Sequence, residues 1–135
     1  MASFNKINSF VAAISNKVHN LGSDTLQVAL TNSAPSAGNT QLSNITEISY
    51  TNCSSRVITT TSSTQTSGLY SLILAALTLT ASGTVGPFRY AVIYNNSATN
   101  KELIGWYDYG SAVTLNNGDT FKVSFDLVNG LLQLT

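Results

Sequence analysis

Charged side chains are scarce in this sequence. Six Lys and Arg and six Asp and Glu make up 9% of 135 residues and leave a formal net charge of zero, against roughly a quarter of residues in an ordinary soluble domain. So thin and balanced a set excludes the electrostatic footprint needed for nucleic acid or an anionic membrane surface. The single cysteine, Cys53, excludes an intrachain disulfide and a Cys-based metal site; it reads as an ordinary small residue, with an intermolecular thiol link as the alternative. The single histidine, His19, leaves any Ser/His/Asp or Cys/His site dependent on one imidazole. No run of about 18 apolar residues is present to span a bilayer. The opening MASFNKINSF has no basic segment leading into an apolar run, which predicts no secretory signal and folding in a cytoplasm.

Polarity comes instead from 18 Ser, 17 Thr and 14 Asn, neutral hydrogen-bonding residues that suit strands and turns. A surface with so few charges is poorly protected against sticking to other chains, which points to a protein meant to be packed against neighbours. The length fits one domain, residues 1–135, burying about two thirds of the surface of its unfolded chain.

Along residues 4–18, Phe4, Ile7, Phe10, Val11, Ile14 and Val18 recur at spacings of three and four, predicting one N-terminal amphipathic helix, about 4–20. Ser3 or Asn5 can cap its start and Gly22 can close it. The period then changes to two. DTLQVALT predicts a strand with Leu26, Val28 and Leu30 on one buried face. Residues 32–44, with Pro35 and Gly38, predict a long loop, and residues 45–50 a short strand. Residues 56–66, RVITTTSSTQT, read as an edge strand or an arm lying across a neighbour. In GLYSLILAALTLT the parity changes, predicting a break near Ala75 and Ala76, with a helix over 69–77 as the alternative. A turn over 82–87 precedes a hairpin of residues 88–94 with 102–109. Asn117-Gly118 predicts a type I′ turn and Asn129-Gly130 another tight turn before a last strand at 131–134. The fold class is therefore mainly β: an antiparallel β-sandwich or jelly roll of about eight short strands over 24–135, with one N-terminal helix.

Residues 86–125 hold the only Trp, four of six Tyr and three of five Phe, and aromatic rings dominate small cores. Alternation sends Trp106 and Tyr107 to opposite faces, which argues for a scaffold and against a single stacking platform. Carboxylate chemistry needs a raised pKa. Of Asp24, Glu47, Glu102, Asp108, Asp119 and Asp126, only Asp108 has aromatic surroundings, and it reads as a hydrogen-bond or ion-pair partner of Arg89. NNGD lacks the repeated acids of a calcium loop, and no zinc spacing or phosphate-cradling glycine motif exists. The expectation is no enzyme, no catalytic residue, no cofactor and no metal.

At GPFRYAVIYNN, ELIGWYDYG and NNGDTFKVSFD, with the earlier VHNLGSDTLQVALTNSAP, the chain resembles a family of small structural proteins of tailed bacteriophages. Their genes sit among the head genes, and members with assigned roles are capsid decoration or cement proteins. The resemblance implies a jelly-roll-like domain. It also implies a homo-oligomer, dimer or trimer, bound to the phage major capsid protein on the outer surface of the virion. Contact candidates are Phe10 and Ile14 of the helix, Pro35 of the long loop, Arg56, Thr60 and Thr64 of the arm, and Trp106 and Tyr109. The alternative is a receptor- or glycan-binding module of a phage tail or fibre using an exposed Tyr or Trp.

Overall fold

The computed structural model describes residues 2–135. It is mainly β and its sheets are antiparallel. Among the described residues nine strands run in the order β1 (Phe4–Lys6), β2 (Leu26–Thr31), β3 (Thr60–Thr66), β4 (Leu69–Leu74), β5 (Leu77–Thr80), β6 (Val85–Asn95), β7 (Leu103–Leu115), β8 (Thr120–Val123) and β9 (Leu132–Leu134). One helix, α1 (Phe10–Ser15), and a 3₁₀ turn at Leu42–Asn44 accompany them. The strands form a four-stranded sheet in the order β1-β7-β6-β2, a three-stranded sheet β3-β4-β9 and a pair β5-β8.

The main core draws Leu26, Val28 and Leu30 from β2, Leu72 and Leu74 from β4, Leu79 from β5, and Phe88, Ala91 and Ile93 from β6, all without solvent exposure. A second, smaller cluster of Ile7, Ala29, Val92, Tyr94 and Leu103 lies with Leu42, Ile45 and Trp106 packed against it. This second cluster corrects the expectation for β2. Ala29 and Thr31 are as buried as Leu30 and only Gln27 is half-exposed, so the strand's second face is largely covered too. The reason is the long loop: Asn8 N–H donates to Ala37 O, Leu42 N–H to Lys101 O and Leu103 N–H to Thr40 O, and Leu42 and Ile45 come to rest on the second cluster. Residues 45–50 accordingly form no strand.

The N-terminal helix is much shorter than its periodicity predicts. Phe4–Lys6 is a strand, pairing Phe4 with Tyr107 and Lys6 with Gly105. Gly105 makes this possible. A Cβ there would collide with the Phe4 ring and lie 2.6 Å from Asn5 O, so Phe4 gains a bare patch of backbone to cover, while Ser9 at the start of α1 makes no side-chain cap. At the other end Val18 N–H donates to Ala13 O (2.9 Å) and Lys17 N–H to Ile14 O (3.3 Å), with Lys17 at φ 65°. That is a Schellman closure whose left-handed residue is Lys17 and not Gly22. A left-handed non-glycine residue costs about 1–2 kcal/mol, so Lys17→Gly should raise stability by about 0.5–1 kcal/mol, read as a higher urea midpoint at unchanged slope. A lower midpoint would contradict the cap.

The β6–β7 hairpin is observed, with Ala91 opposite Tyr107, as is the break between β4 and β5 at residues 75–76. Residues 69–74 are strand, not helix. The tight turn at Asn129-Gly130 is present, with Gly130 at φ 84°, but Asn117-Gly118 behaves differently from expectation. Asn117 lacks the positive φ that a type I′ turn requires, and β8 pairs with β5, not β7. Asp119 accepts from Asn116 N–H and turns the chain from one sheet into another. The two-residue turn with both φ values positive is Ser67-Gly68, between β3 and β4, where Thr66 faces Leu69.

Candidate functional site

The sequence-predicted contact residues are dispersed. Phe10 is 1% exposed and its ring stacks on His19 at 5.4 Å, so it belongs to the core and offers nothing to a partner; the apolar helix face that nominated it is the buried one. Ile14 is half-buried and shares a pocket of about 280 Å³ with Leu21, Ser63, Tyr70 and Leu134, which brings the helix beside β3. Pro35 and Thr60 are half-buried and Thr64 is exposed. Trp106 packs on the second cluster and Tyr107 in the main one, on opposite faces of β7. Tyr109 is half-buried in an aromatic chain, 4.9 Å from Phe121 and edge-on to it. Burial raises the pKa of its hydroxyl.

Arg56 has a role that its place in the arm did not reveal. Its guanidinium lies 3.5 Å from the centroid of the Tyr50 ring and donates to Val28 O at 2.6 Å. Tyr50 donates to Glu47 at 2.7 Å and accepts from Leu30 N–H at 2.9 Å; burial raises the pKa of its hydroxyl. With Val28 N–H donating to Arg56 O, Ile58 N–H to Leu26 O and Ile48 N–H to Leu30 O, residues 45–58 close the outer edge of β2. A sheet edge left bare is a template for another chain, and here side chains and backbone together cover it. Nothing in the local pattern of residues 47–56 signals this, because the partners are carbonyl and amide groups of a strand far away in sequence.

A second polar cluster joins the start of the β6–β7 connection to the segment after α1. Asn95 is fully buried. Its amide donates to His19 Nδ1 at 2.9 Å and to Asp24 at 2.6 Å, and its carbonyl accepts from Ser97 N–H. In that arrangement the neutral His19 ring carries its proton on Nε2, a buried atom with no partner; Glu102 Oε2 is likewise buried and without one. Protonating Nδ1 would set two donors face to face. Burial lowers the His19 pKa, against the raising influence of Glu102 and Asp24. The folded state therefore holds this proton less tightly than the unfolded chain does. Stability should be full above about pH 6.5, the unfolded value, and should fall as pH drops below it toward the folded pKa. Urea titrations at about pH 7.5 and 5.5 should show this loss, and His19→Gln should flatten it. An unchanged slope in the variant would assign the loss to other groups.

The pairing of Asp108 with Arg89 is as expected, with bonds of 2.8 and 3.1 Å. The Arg89 guanidinium and the Gly110 N–H hold the Asp108 carboxyl below the usual range, which is an ion pair and the reverse of a general acid. A pocket of about 460 Å³ lies between residues 41–47 and 99–101; its lining carries no aromatic ring on which a sugar could stack. Among the described residues no three His, Cys, Asp or Glu side chains converge to hold a metal, and no helix is long and apolar enough to cross a membrane.

The ionisable groups that do cluster serve internal joints. The remaining exposed surface carries long charge-free runs, between Asp24 and Glu47 and between Arg56 and Arg89. Comparisons with protein-family models, with curated proteins and with solved structures give no match to this chain.

Proposed function

We propose that the protein is a decoration, or cement, protein that binds the outer surface of a tailed-phage head and stabilises contacts between major capsid proteins. In this reading its sheets pack as a β-sandwich of jelly-roll type. It acts as a homo-oligomer and as a structural virion component, not as an enzyme, and engages neither nucleic acid nor membrane. The resemblance of GPFRYAVIYNN, ELIGWYDYG and NNGDTFKVSFD to that phage family motivates the reading.

The observation that carries it is the pair of uncharged runs, which include the long loop and β3. Such a surface favours contacts that are numerous, shape-driven and weakly dependent on salt. The decisive test is the phage head itself. Mass spectrometry of purified heads should find the protein in many copies, and cryo-electron microscopy should place it outside the shell at fixed positions between capsid subunits. Heads lacking it should break open on heating or at low salt. Heads that contain none of it, or that survive both treatments unchanged without it, would overturn the proposal.

A further inference from the structure

Each sheet has two outer strands, and all but one are short, charged or covered. β1 and β9 have three residues each, and β1 ends on Lys6. The outer edge of β2 is closed by residues 45–58. β5 is bridged by Cys53 opposite Ala81 and by Ser54 N–H donating to Thr80 O. β8 has four residues including Lys122.

The exception is β3, seven residues of Thr, Ser and Gln paired only to β4. Among the described residues no backbone hydrogen bond from another segment reaches residues 60–66. Strand edges are normally protected by charge, proline, shortness or a cover. β3 has no charge or proline and is not short. Ile14, Leu21 and Gly22 approach Ser63 on its side-chain face, but its backbone edge stays uncovered, and no charged residue lies between Arg56 and Arg89.

The geometry points to a second copy of this chain as the occupant, added to β3 as an antiparallel strand across a twofold axis at Thr64. The two-residue turn makes Thr66 and Leu69 a hydrogen-bonded pair, so Thr64 and Ser62 also face β4, while the N–H and C=O of Ser63 and Gln65 face outward. The ladder is irregular between Thr60 and Ser62 and ends at the turn after Thr66. Its regular part, residues 62–66, is centred on Thr64. Antiparallel self-pairing about that centre sets Ser63 opposite Gln65 of the second copy and Gln65 opposite its Ser63, so the free donors and acceptors meet with no slip. Thr64 then faces its own counterpart in a close, non-hydrogen-bonded pair, and Thr–Thr is a favourable cross-strand combination. A single charge on this strand would repel its copy there; the strand carries none. The two three-stranded sheets become one continuous sheet across the axis.

An interface built on one short strand is small, and dimerisation is correspondingly weak. Sedimentation of the purified protein up to about 1 mM should therefore show a concentration-dependent monomer–dimer equilibrium. Thr64→Lys places two ammonium groups on the axis while altering only an exposed side chain; it should remain monomeric throughout with an unchanged circular dichroism spectrum. In a Cys53→Ser background, Thr64→Cys should form a disulfide-linked dimer with oxidised glutathione several-fold faster than Asn117→Cys, which sits in an exposed turn. A wild type that stays monomeric, a trimer, a dimer that survives Thr64→Lys, or equal crosslinking of the two cysteine variants would each overturn the inference. It specifies the homo-oligomer of the capsid reading; these measurements use purified protein and the capsid test uses heads, so the failure of one is distinguishable from the failure of the other.

Discussion

Phe88→Ala should destabilise the protein by about 3–5 kcal/mol, the range for removing a buried aromatic ring from a core that cannot collapse around the gap. Phe88 has no solvent exposure. Its ring meets Phe121 edge-on at 5.1 Å, Phe121 meets Tyr109 in the same way, and Tyr107 continues the contact to Tyr109, Phe125 and Phe4. This series of rings runs from β6 through β8 to β7 and β1, joining the four-stranded sheet to the β5–β8 pair. Loss of its first member removes buried area and an aromatic pair worth about 0.5–1.5 kcal/mol beyond that area. Against a total stability of about 5–15 kcal/mol, the variant should show a urea midpoint lowered by about a fifth or more at unchanged slope. A loss under about 1 kcal/mol would mean that Phe121 and Tyr109 close over the vacancy.

Arg56→Ala should cost about 2–5 kcal/mol and should also make the protein aggregate. The first effect combines a hydrogen bond from a charged donor, about 1.5–3 kcal/mol, with the stacking on Tyr50, about 0.5–2 kcal/mol. The side chain is only 16% exposed, so water does little to replace either. The second effect follows from position. Val28 O loses its side-chain donor, Tyr50 loses the group that flattens it against the strand, and residues 45–58 loosen from the β2 edge. Light scattering of the variant at about half the midpoint concentration of urea should rise with protein concentration. Arg56→Lys should recover little, because an ammonium cannot lie flat on the ring. A soluble variant at near wild-type stability would show that the backbone bonds alone close that edge.

The strands could be read from the sequence because alternation and turn residues act locally. The parity change at residues 75–76, the hairpin of β6 with β7 and the opposite faces of Trp106 and Tyr107 all follow from period two. What local pattern cannot carry is which strand lies beside which. Phe4, Ile7 and Phe10 satisfy a helical spacing, yet Phe4 is claimed by the bare backbone of Gly105, far along the chain. Asn117-Gly118 resembles a hairpin turn, but the partner waiting for β8 is β5.

The same limit applies to function. Arg56 lay within the predicted arm, and its hold on Val28 and Tyr50 depends on residues 45–50 being an irregular cover and not the strand expected there. Asp108 could be assigned to Arg89 because the two lie on neighbouring strands of one hairpin; strict alternation would part them, and they meet where the register shifts between Phe88 and Tyr90. His19 could not be assigned to Asn95, since nothing in the helix pattern fixes where the chain goes after α1.

The pairing of distant strands also has a consequence for how the molecule is made. Phe4 pairs with Tyr107, Leu26 with Asn95 and Tyr70 with Leu134, so most of the sheet is built from contacts remote in sequence, and folding should be slow, roughly milliseconds to seconds. On the ribosome the first half of the chain emerges without the strands it needs. The β3–β4 hairpin can form early, but its second neighbour, β9, is synthesised long after it. Until β9 is released, an uncharged hairpin stands open on both edges, and nascent chains on neighbouring ribosomes offer each other matching edges. Yield in a host cell should therefore depend on translation speed and temperature more steeply than the stability of the finished protein would indicate.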